Sequence, residues 1–462
     1  MRWIRPCLAG LLALAAGWAA AQGLPPEVEA ALAAAQLPRE SVVLLVAPAE
    51  GGDPRVAHRI EVPVNPASVA KLATTYAALE LLGPSYSWNT PVYLDGPVRN
   101  GVLQGNLYLQ GRGDPKLVVE RLWLLLRRVQ ALGVRAVSGD IVLDRSAFVL
   151  PPRDPAAFDG EPLRPYNALP EALLINFKTV VLTFTPQGGQ ARVRAEPPLA
   201  GVQWPASVPL AAGECGAWPA TLRADFSNPL QVRFAGSFPA ACGEQTWNIA
   251  FPDPASYAAR AVAGLWRELG GELTGVVRDG SVPAGLRPAF EFASPPLAEV
   301  VRDINKYSNN VMAQQLFLTL GLQLRGSGTL EASREVLRSW WRDRFGGEPP
   351  LLDNGSGLSR SERITGAQLG QLLQAAWASP LMPDFVASLP ALGIDGTTRR
   401  IRQNVGLAHL KTGSLNDVSA VAGYVHGAQG RRYVLVAIAN HPRASAVRPA
   451  IQALVDWTAR QP

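Results

Sequence analysis

Strand patterns occur near both ends of the chain, and this placement constrains the fold more than any other feature. Near the start, "SVVLLVAP" and "RVAHRIEVPV" are typical of two strands around the turn "AEGGDP". Near the end, "AHLKTGS", "VSAVAGYVHG" and "RRYVLVAIAN" predict three more strands. Because helical patterns lie between these strands, we expect one α/β domain whose sheet unites both ends of the chain.

The middle of the chain predicts an insertion into that domain. A chain of 462 residues is too long for one ordinary core, and from about Thr90 short strands and Gly-rich turns replace the earlier pattern. We therefore predict an outer region (residues 22–89 and 288–462), an inserted region (90–176 and 252–287) and a nested β-rich region (177–251). Each is expected to form a domain.

The first residues have the layout of a secretory signal. Arg2 and Arg5 precede a short apolar run, and small residues at Ala19, Ala20 and Ala21 offer a cleavage site. A membrane anchor is the alternative, but the run is short for a bilayer. We expect residues 1–21 to be removed and the protein to be exported, soluble, to the periplasm or cell envelope.

Composition and charge limit the partners. A hydrophobic share of 48% and a charged share of 17% suit a globular enzyme. The net charge of +6 allows at most weak attraction to a membrane surface. No basic cluster interleaved with aromatic residues suggests nucleic acid. The four histidines are scattered without metal-ligand spacing, so we predict neither a metal nor another cofactor. The sequence does not define an oligomeric state.

The cysteines agree with export. Cys7 lies inside the predicted signal, which leaves Cys215 and Cys242 as an even pair in an oxidising compartment. We predict a disulfide between them, worth on the order of 3 kcal/mol from loop closure. Two unrelated buried thiols are the alternative.

The stretch "NPASVAKL" places a hydroxyl and an amine on one face of a predicted helix from Pro66 to about Leu82. Asn65 suits the N-cap, so Ser68 would lie in the first turn and Lys71 one turn further along the same face. A desolvated lysine can take the proton of a serine and make it a nucleophile. Alone, S-x-x-K more often means a capping serine and a surface lysine.

Two further motifs change that interpretation. "YSNN" contains Ser308 and Asn310 before an apolar helix, and "HLKTGS" places Lys411 to Gly413 on a strand. In this order, the three motifs match the set used by penicillin-binding proteins and serine β-lactamases. Nearly the whole predicted mature chain resembles the low-molecular-mass class C penicillin-binding proteins, which are D-alanyl-D-alanine carboxypeptidases/endopeptidases. Besides the three motifs, the resemblance includes "GRGDPKL", "GDIVLDRSAF", "YNALPEALLINF", "LLDNGSGLSR", "LPALGIDGTTRR" and "KTGSLNDVSAVAGYV".

The resemblance implies a fold and a role for the first two motifs. The outer region would be a serine β-lactamase/DD-peptidase-like domain with a central antiparallel sheet flanked by helices. The insertion would form two nested domains that carry a cysteine pair. Ser68 would be the acylated nucleophile and Lys71 its base. Ser308 would relay a proton to the leaving D-alanine, and Asn310 would hold the amide carbonyl of the substrate.

The third motif and one acidic residue complete the implied site. Lys411 would supply positive charge near the terminal carboxylate, and Thr412 would donate a hydrogen bond to it. Gly413 would let the strand approach the ligand, and the N–H of Ser414 would join that of the nucleophile as the oxyanion hole. Asp159 is the candidate for binding the free amino group of the diamino acid, with a surface aspartate as the alternative.

The resemblance implies a serine DD-peptidase of peptidoglycan metabolism that acts on stem peptides and is inhibited covalently by β-lactams. A serine β-lactamase is the alternative within the same fold. No E-x-x-x-N segment for a deacylating water lies between the second and third motifs, which favours slow release of penicillin. A non-catalytic wall-binding or β-lactam-sensing protein is the alternative from another class, but such a protein would not need Lys71 beside Ser68.

Overall fold

A five-stranded antiparallel sheet joins the two ends of the chain in the computed structural model, which describes residues 23–462. Strand Val42–Pro48 pairs along its whole length with Arg432–Asn440, so Val42 lies opposite Ala439. This confirms the predicted union of the two ends. In spatial order the strands are Ala408–Leu415, Val418–His426, Arg432–Asn440, Val42–Pro48 and Val56–His58.

Helices cover both faces of this sheet, as the fold class predicts. Val43 and Leu45 pack in one core with helices Lys71–Leu82 and Asn310–Arg325. Val42 and Leu44, which point to the opposite face, pack in a second core. The other helices of the first core are Leu297–Tyr307, Leu330–Phe345, Gly366–Trp377 and Met382–Ser388, and those of the second are Pro26–Ala34 and Arg448–Ala459.

The inserted region contains a five-stranded mixed sheet and a small four-stranded sheet. The larger sheet has the order Val277–Asp279, Ile141–Asp144, Leu107–Gln110, Asn89–Leu94 and Phe290–Ala293. The smaller sheet has the order Glu272–Leu273, Ala136–Val137, Val102–Leu103 and Val98–Arg99. Two amphipathic helices, Val119–Ala131 and Tyr257–Glu268, contribute their apolar faces to the core beneath.

The nested region contains a third five-stranded sheet, which has an aromatic core. Its strands lie in the order Phe238–Pro239, Ser207–Ala211, Gln190–Glu196, Thr179–Gln187 and Gln245–Ala250. A two-stranded ribbon, Ala224–Asp225 with Arg233–Phe234, and the short helix Trp218–Thr221 lie beside it. Cys215 and Cys242 form the predicted disulfide.

One pairing bears on the boundary between the outer and inserted regions. Strand Phe290–Ala293 falls after the predicted boundary at residue 288, yet it hydrogen-bonds to Asn89–Leu94 in the inserted sheet. We therefore propose that the return junction lies just after Ala293, with the remaining boundaries as predicted. The predicted signal, residues 1–21 with Cys7, lies outside the described residues. No helix within residues 23–462 has the length and apolarity needed to cross a bilayer.

Candidate active site

Ser68 lies on a 3₁₀ turn, Ala67–Ala70, that leads into the α-helix Lys71–Leu82. The prediction of one continuous α-helix from Pro66, capped by Asn65, is therefore wrong at its first turn. The Asn65 side chain instead makes one tertiary and one local contact: its amide donates to Ser359 O at 2.9 Å, and its Oδ1 accepts from the N–H of Ala67, two residues further on, at 2.9 Å. Ala67 consequently adopts a positive φ of 45°, which helical propensity does not foresee.

Two glycines allow neighbouring backbone to approach the Ser68 turn. A Cβ on Gly357 would lie 2.0 Å from the Ala67 carbonyl oxygen, and Gly357 has a φ of +78°. A Cβ on Gly413 would lie 2.8 Å from the Pro66 oxygen and 3.0 Å from the Ser68 nitrogen. Both positions therefore require glycine, because any side chain would displace the turn that carries the hydroxyl.

Lys71 is fully buried directly beside Ser68. Its Nζ donates to Ser68 Oγ at 3.0 Å, to Asn310 Oδ1 at 2.6 Å and to the carbonyl oxygen of Ser356. Burial lowers the pKa of Lys71 to about 7, although the nearby carboxylate of Glu362 acts in the opposite direction. A substantial fraction of this amine is thus neutral near pH 7 and able to accept a proton.

The second motif forms the corner between helices Leu297–Tyr307 and Asn310–Arg325. Ser308 occupies the left-handed region with φ 55°, and the side chain of Asn309 caps the second helix by accepting from Met312 N–H at 3.1 Å. Asn310 is the first helical residue, and its amide bridges Lys71 to the carbonyl oxygen of Tyr166, which lies 3.2 Å from Nδ2.

The third motif lies on strand Ala408–Leu415. Lys411 is fully buried, and its Nζ donates to Ser308 Oγ at 2.7 Å and to Thr412 O at 2.6 Å. Burial, with a smaller contribution from the charge of Lys71, lowers the pKa of Lys411 well below its usual value. Thr412 Oγ1 donates to Thr397 Oγ1 at 2.7 Å. Three segments far apart in sequence therefore converge around two buried amines.

Two predicted site residues have weaker connections to this centre. Ser414 follows Gly413 on the same strand, and its side chain is exposed. Asp159 lies in an exposed loop and accepts from Tyr166 OH at 2.9 Å and Asn167 Nδ2 at 2.7 Å. Partial burial raises the pKa of Asp159, but these hydrogen bonds outweigh it and lower the pKa overall. Asp159 thus adjoins the site through Tyr166, whose backbone holds Asn310.

Glu362, which no sequence motif revealed, is a fully buried carboxylate that interacts electrostatically with Lys71. It lies just after the quoted segment "LLDNGSGLSR", within "SERIT", a setting typical of a surface loop. No local pattern marks it, because its burial depends on how the preceding loop folds beneath the Ser68 turn. Within residues 23–462, the structure holds no group of three or more His, Cys, Asp or Glu placed to bind a metal.

Comparisons with known proteins agree with this geometry. The family model described as D-Ala-D-Ala carboxypeptidase 3 (S13) matches residues 24–461. A D-alanyl-D-alanine carboxypeptidase from Actinomadura sp. (strain R39) is 32% identical over 425 residues, which cover 84% of this chain and 76% of that protein.

Solved structures show the same fold. Penicillin-binding protein 4 from Haemophilus influenzae superposes with a TM-score of 0.72 at 22% identity, over 93% of this chain and 99% of that one. The same protein in complex with a β-lactam gives a TM-score of 0.70, also at 22% identity, over 94% and 100% of the two chains.

Proposed function

Because the chain belongs to the D-Ala-D-Ala carboxypeptidase 3 (S13) family, we propose that its three converging motifs perform acyl transfer through Ser68. The protein is a low-molecular-mass class C penicillin-binding protein and a serine DD-peptidase of peptidoglycan metabolism. The observation that supports the assignment of Ser68 is its hydrogen bond with a fully buried lysine 3.0 Å away.

Acylation begins with proton transfer from Ser68 Oγ to the neutral amine of Lys71. The oxygen then attacks the carbonyl carbon of the penultimate D-alanine, and the C–N bond to the terminal residue breaks. The leaving nitrogen needs a proton, which Ser308 Oγ is placed to pass on because it accepts from Lys411. Water then hydrolyses the ester on Ser68 and regenerates the hydroxyl.

Lys411 and Thr412 are our candidates for binding the terminal carboxylate. The pKa of Lys411 is low because the amine is buried, and a carboxylate arriving beside it would favour the ammonium form. Binding would therefore coincide with proton uptake at Lys411. Thr412 Oγ1 currently donates to Thr397 and could turn to the substrate at the cost of that one hydrogen bond.

The remaining assignments concern the scissile amide and the peptide side chain. Ser414 N–H would pair with the N–H of Ser68 to bind the developing oxyanion, a role supported by the close approach of Gly413 to Ser68. Asn310 would hold the substrate amide carbonyl. Asp159 would bind an amino group, which is supported by the hydrogen bonds that keep its carboxylate ionised.

We further propose that the protein acts after export, on D-alanyl termini or cross-links of peptidoglycan, and that penicillins acylate Ser68. The basic and apolar residues at positions 1–21 support export. The β-lactam complex of the H. influenzae protein, which shares this fold, supports β-lactam binding.

Replacing the nucleophile tests this proposal directly. The Ser68→Ala variant should lose D-alanine release from purified muropeptides and lose labelling by a fluorescent penicillin. Ser227→Ala, an exposed serine of the nested region, is the matched control and should keep both. Retained labelling in Ser68→Ala would refute the assignment.

The lifetime of the acyl-enzyme separates a peptidase from a β-lactamase. Intact-protein mass spectrometry after penicillin addition should show an adduct that persists for minutes or longer. Immediate return to the unmodified mass with consumption of penicillin would favour the β-lactamase instead.

A further inference from the structure

Glu362 is a buried carboxylate to which the reaction proposed above assigns no role. Its side chain is completely excluded from solvent. Oε1 accepts from the backbone N–H groups of Asp353 and Asn354, at 3.2 and 3.3 Å. Oε2 is buried and has no hydrogen-bond partner among residues 23–462. Burying a carboxylate with one oxygen unsatisfied destabilises the folded protein, so we expect a role that offsets this cost.

The backbone that Glu362 holds is the loop that contacts Lys71. In this loop, residues 353–359, Asn354 Oδ1 accepts from both the N–H and the hydroxyl of Ser356, at 3.0 and 2.6 Å. The Ser356 carbonyl oxygen then accepts from Lys71 Nζ. Glu362 therefore positions the acceptor that fixes the amine next to Ser68.

Among the charged groups around Lys71, Glu362 is the carboxylate that can stabilise a positive charge on that amine. Asp353 lies on the same loop, but its carboxylate forms an ion pair with Arg334. Burial, and to a smaller extent the charge of Lys71, lowers the pKa of the second buried amine, Lys411, which supplies no negative charge near Lys71. Proton transfer from Ser68 would create an ammonium at Lys71, a side chain that is excluded from solvent, so a nearby negative charge has a strong effect.

We propose that Glu362 is a positioning residue for acylation: it orders the 353–359 loop against Lys71 and supplies the negative charge that stabilises the Lys71 ammonium. This inference rests on the proposed role of Lys71 as the base for Ser68. It adds a residue that touches neither the substrate nor the reacting oxygen but acts through the amine.

The interaction between Glu362 and Lys71 shifts the pKa of each group in a definite direction. Burial raises the pKa of Glu362 to about 7, and burial lowers the pKa of Lys71 to about 7. The two groups thus titrate in the same range and behave as a coupled pair. The Glu362 carboxylate raises the Lys71 pKa, so neutralising Glu362 lowers that pKa and moves the acid limb of acylation to lower pH.

The test is the pH dependence of acylation in Glu362→Gln, which keeps an oxygen to accept the two backbone N–H bonds. The second-order rate constant with a fluorescent penicillin is measured across about pH 5 to 9. We expect the acid limb to move down by about one pH unit. The maximal rate should fall about tenfold, as one pK unit of lost stabilisation implies. Glu348→Gln, an exposed glutamate, is the matched control and should match the wild type.

A purely structural role would lower the whole profile without moving its acid limb, and that result would overturn the proposal. Should Glu362→Gln not fold, infrared titration of the Lys71→Met variant gives the reciprocal measurement. Lys71 lowers the pKa of Glu362, so the protonated-carboxyl band should persist to higher pH in that variant than in the wild type. An unmoved band would contradict the proposal. Failure of the Ser68 assignment is detected separately, by labelling of Ser68→Ala.

Discussion

The active site and the nested β-rich region bury opposite kinds of side chain. Around Ser68, the structure buries two lysines, a glutamate and an asparagine, namely Lys71, Lys411, Glu362 and Asn310. The nested sheet instead packs Phe184 against Phe238 with ring centroids 5.5 Å apart, and Trp218 lies 5.2 Å from Phe238. A disulfide crosses this second region.

This difference indicates that the active site lowers the stability of the folded protein, whereas the nested region raises it. Buried amines with lowered pKa values destabilise the folded state at neutral pH, because folding must remove their protons or bury their charge. Aromatic packing and a disulfide carry no such cost. Substitutions in the site should therefore affect acylation more than stability, and substitutions in the nested region should do the reverse.

The largest expected effect comes from exchanging two buried lysines for methionine. Lys71→Met should slow acylation about a thousandfold, the typical contribution of a general base, without lowering the melting temperature. Lys178 lies at the start of the nested region, 3.0 Å from Glu171. Lys178→Met should leave acylation unchanged and lower the free energy of unfolding by about 2 kcal/mol, because Glu171 loses one charged hydrogen bond but keeps its ion pair with Arg145 at 3.0 Å.

Penicillin acylation rates and thermal unfolding of the two lysine variants measure this contrast. A strong loss of acylation in Lys178→Met, in protein that is still folded, would show that the two regions are not separable in this way.

The next effect concerns two glycines with positive φ that differ in the space around them. Gly357→Ala would place a Cβ 2.0 Å from the Ala67 oxygen, whereas a Cβ on Gly189, which has a φ of +83°, meets nothing within 4 Å. Gly357→Ala should displace the Ser68 turn and reduce acylation about a hundredfold. Gly189→Ala should cost only about 1 kcal/mol of backbone strain. Equal acylation rates in the two variants would contradict the role assigned to the close approach.

A smaller effect is expected at the proposed carboxylate site. Thr412→Val removes one hydroxyl donor, so KM for a peptide with a terminal carboxylate should rise about tenfold. The matched control is Thr185→Val, in the nested sheet, where the threonine hydroxyl lies 2.8 Å from Glu244. Steady-state kinetics with a D-Ala-D-Ala peptide distinguish the two variants. An unchanged KM in Thr412→Val would remove Thr412 from the binding site.

The smallest effect on catalysis is expected from removing the disulfide. The double variant Cys215→Ser with Cys242→Ser should lose about 3 kcal/mol of unfolding free energy and keep its acylation rate. Denaturant unfolding and penicillin labelling measure the two quantities on one sample. If acylation fell in parallel with stability, the nested region would contribute to the site.

The sequence predicted the strands and helices that have a local residue pattern, and the site residues that belong to a recognisable motif. The strands at the two ends and the three motifs belong to this class. It failed at the Ser68 turn, because Asn65 and Gly357 impose a backbone that helical propensity does not predict. It also missed Glu362, since no pattern around that residue reveals its burial. The roles of Asp159 and Ser414 stay predictions, because they depend on a bound substrate.

The proposed reaction requires that Ser68 is the group that Lys71 activates. Its most direct test is peptide mapping by mass spectrometry of the protein after reaction with penicillin. We expect one adduct, on the peptide that contains Ser68 and on that hydroxyl. An adduct on Ser308, on Ser414 or on any other residue, with Ser68 unmodified, would contradict it.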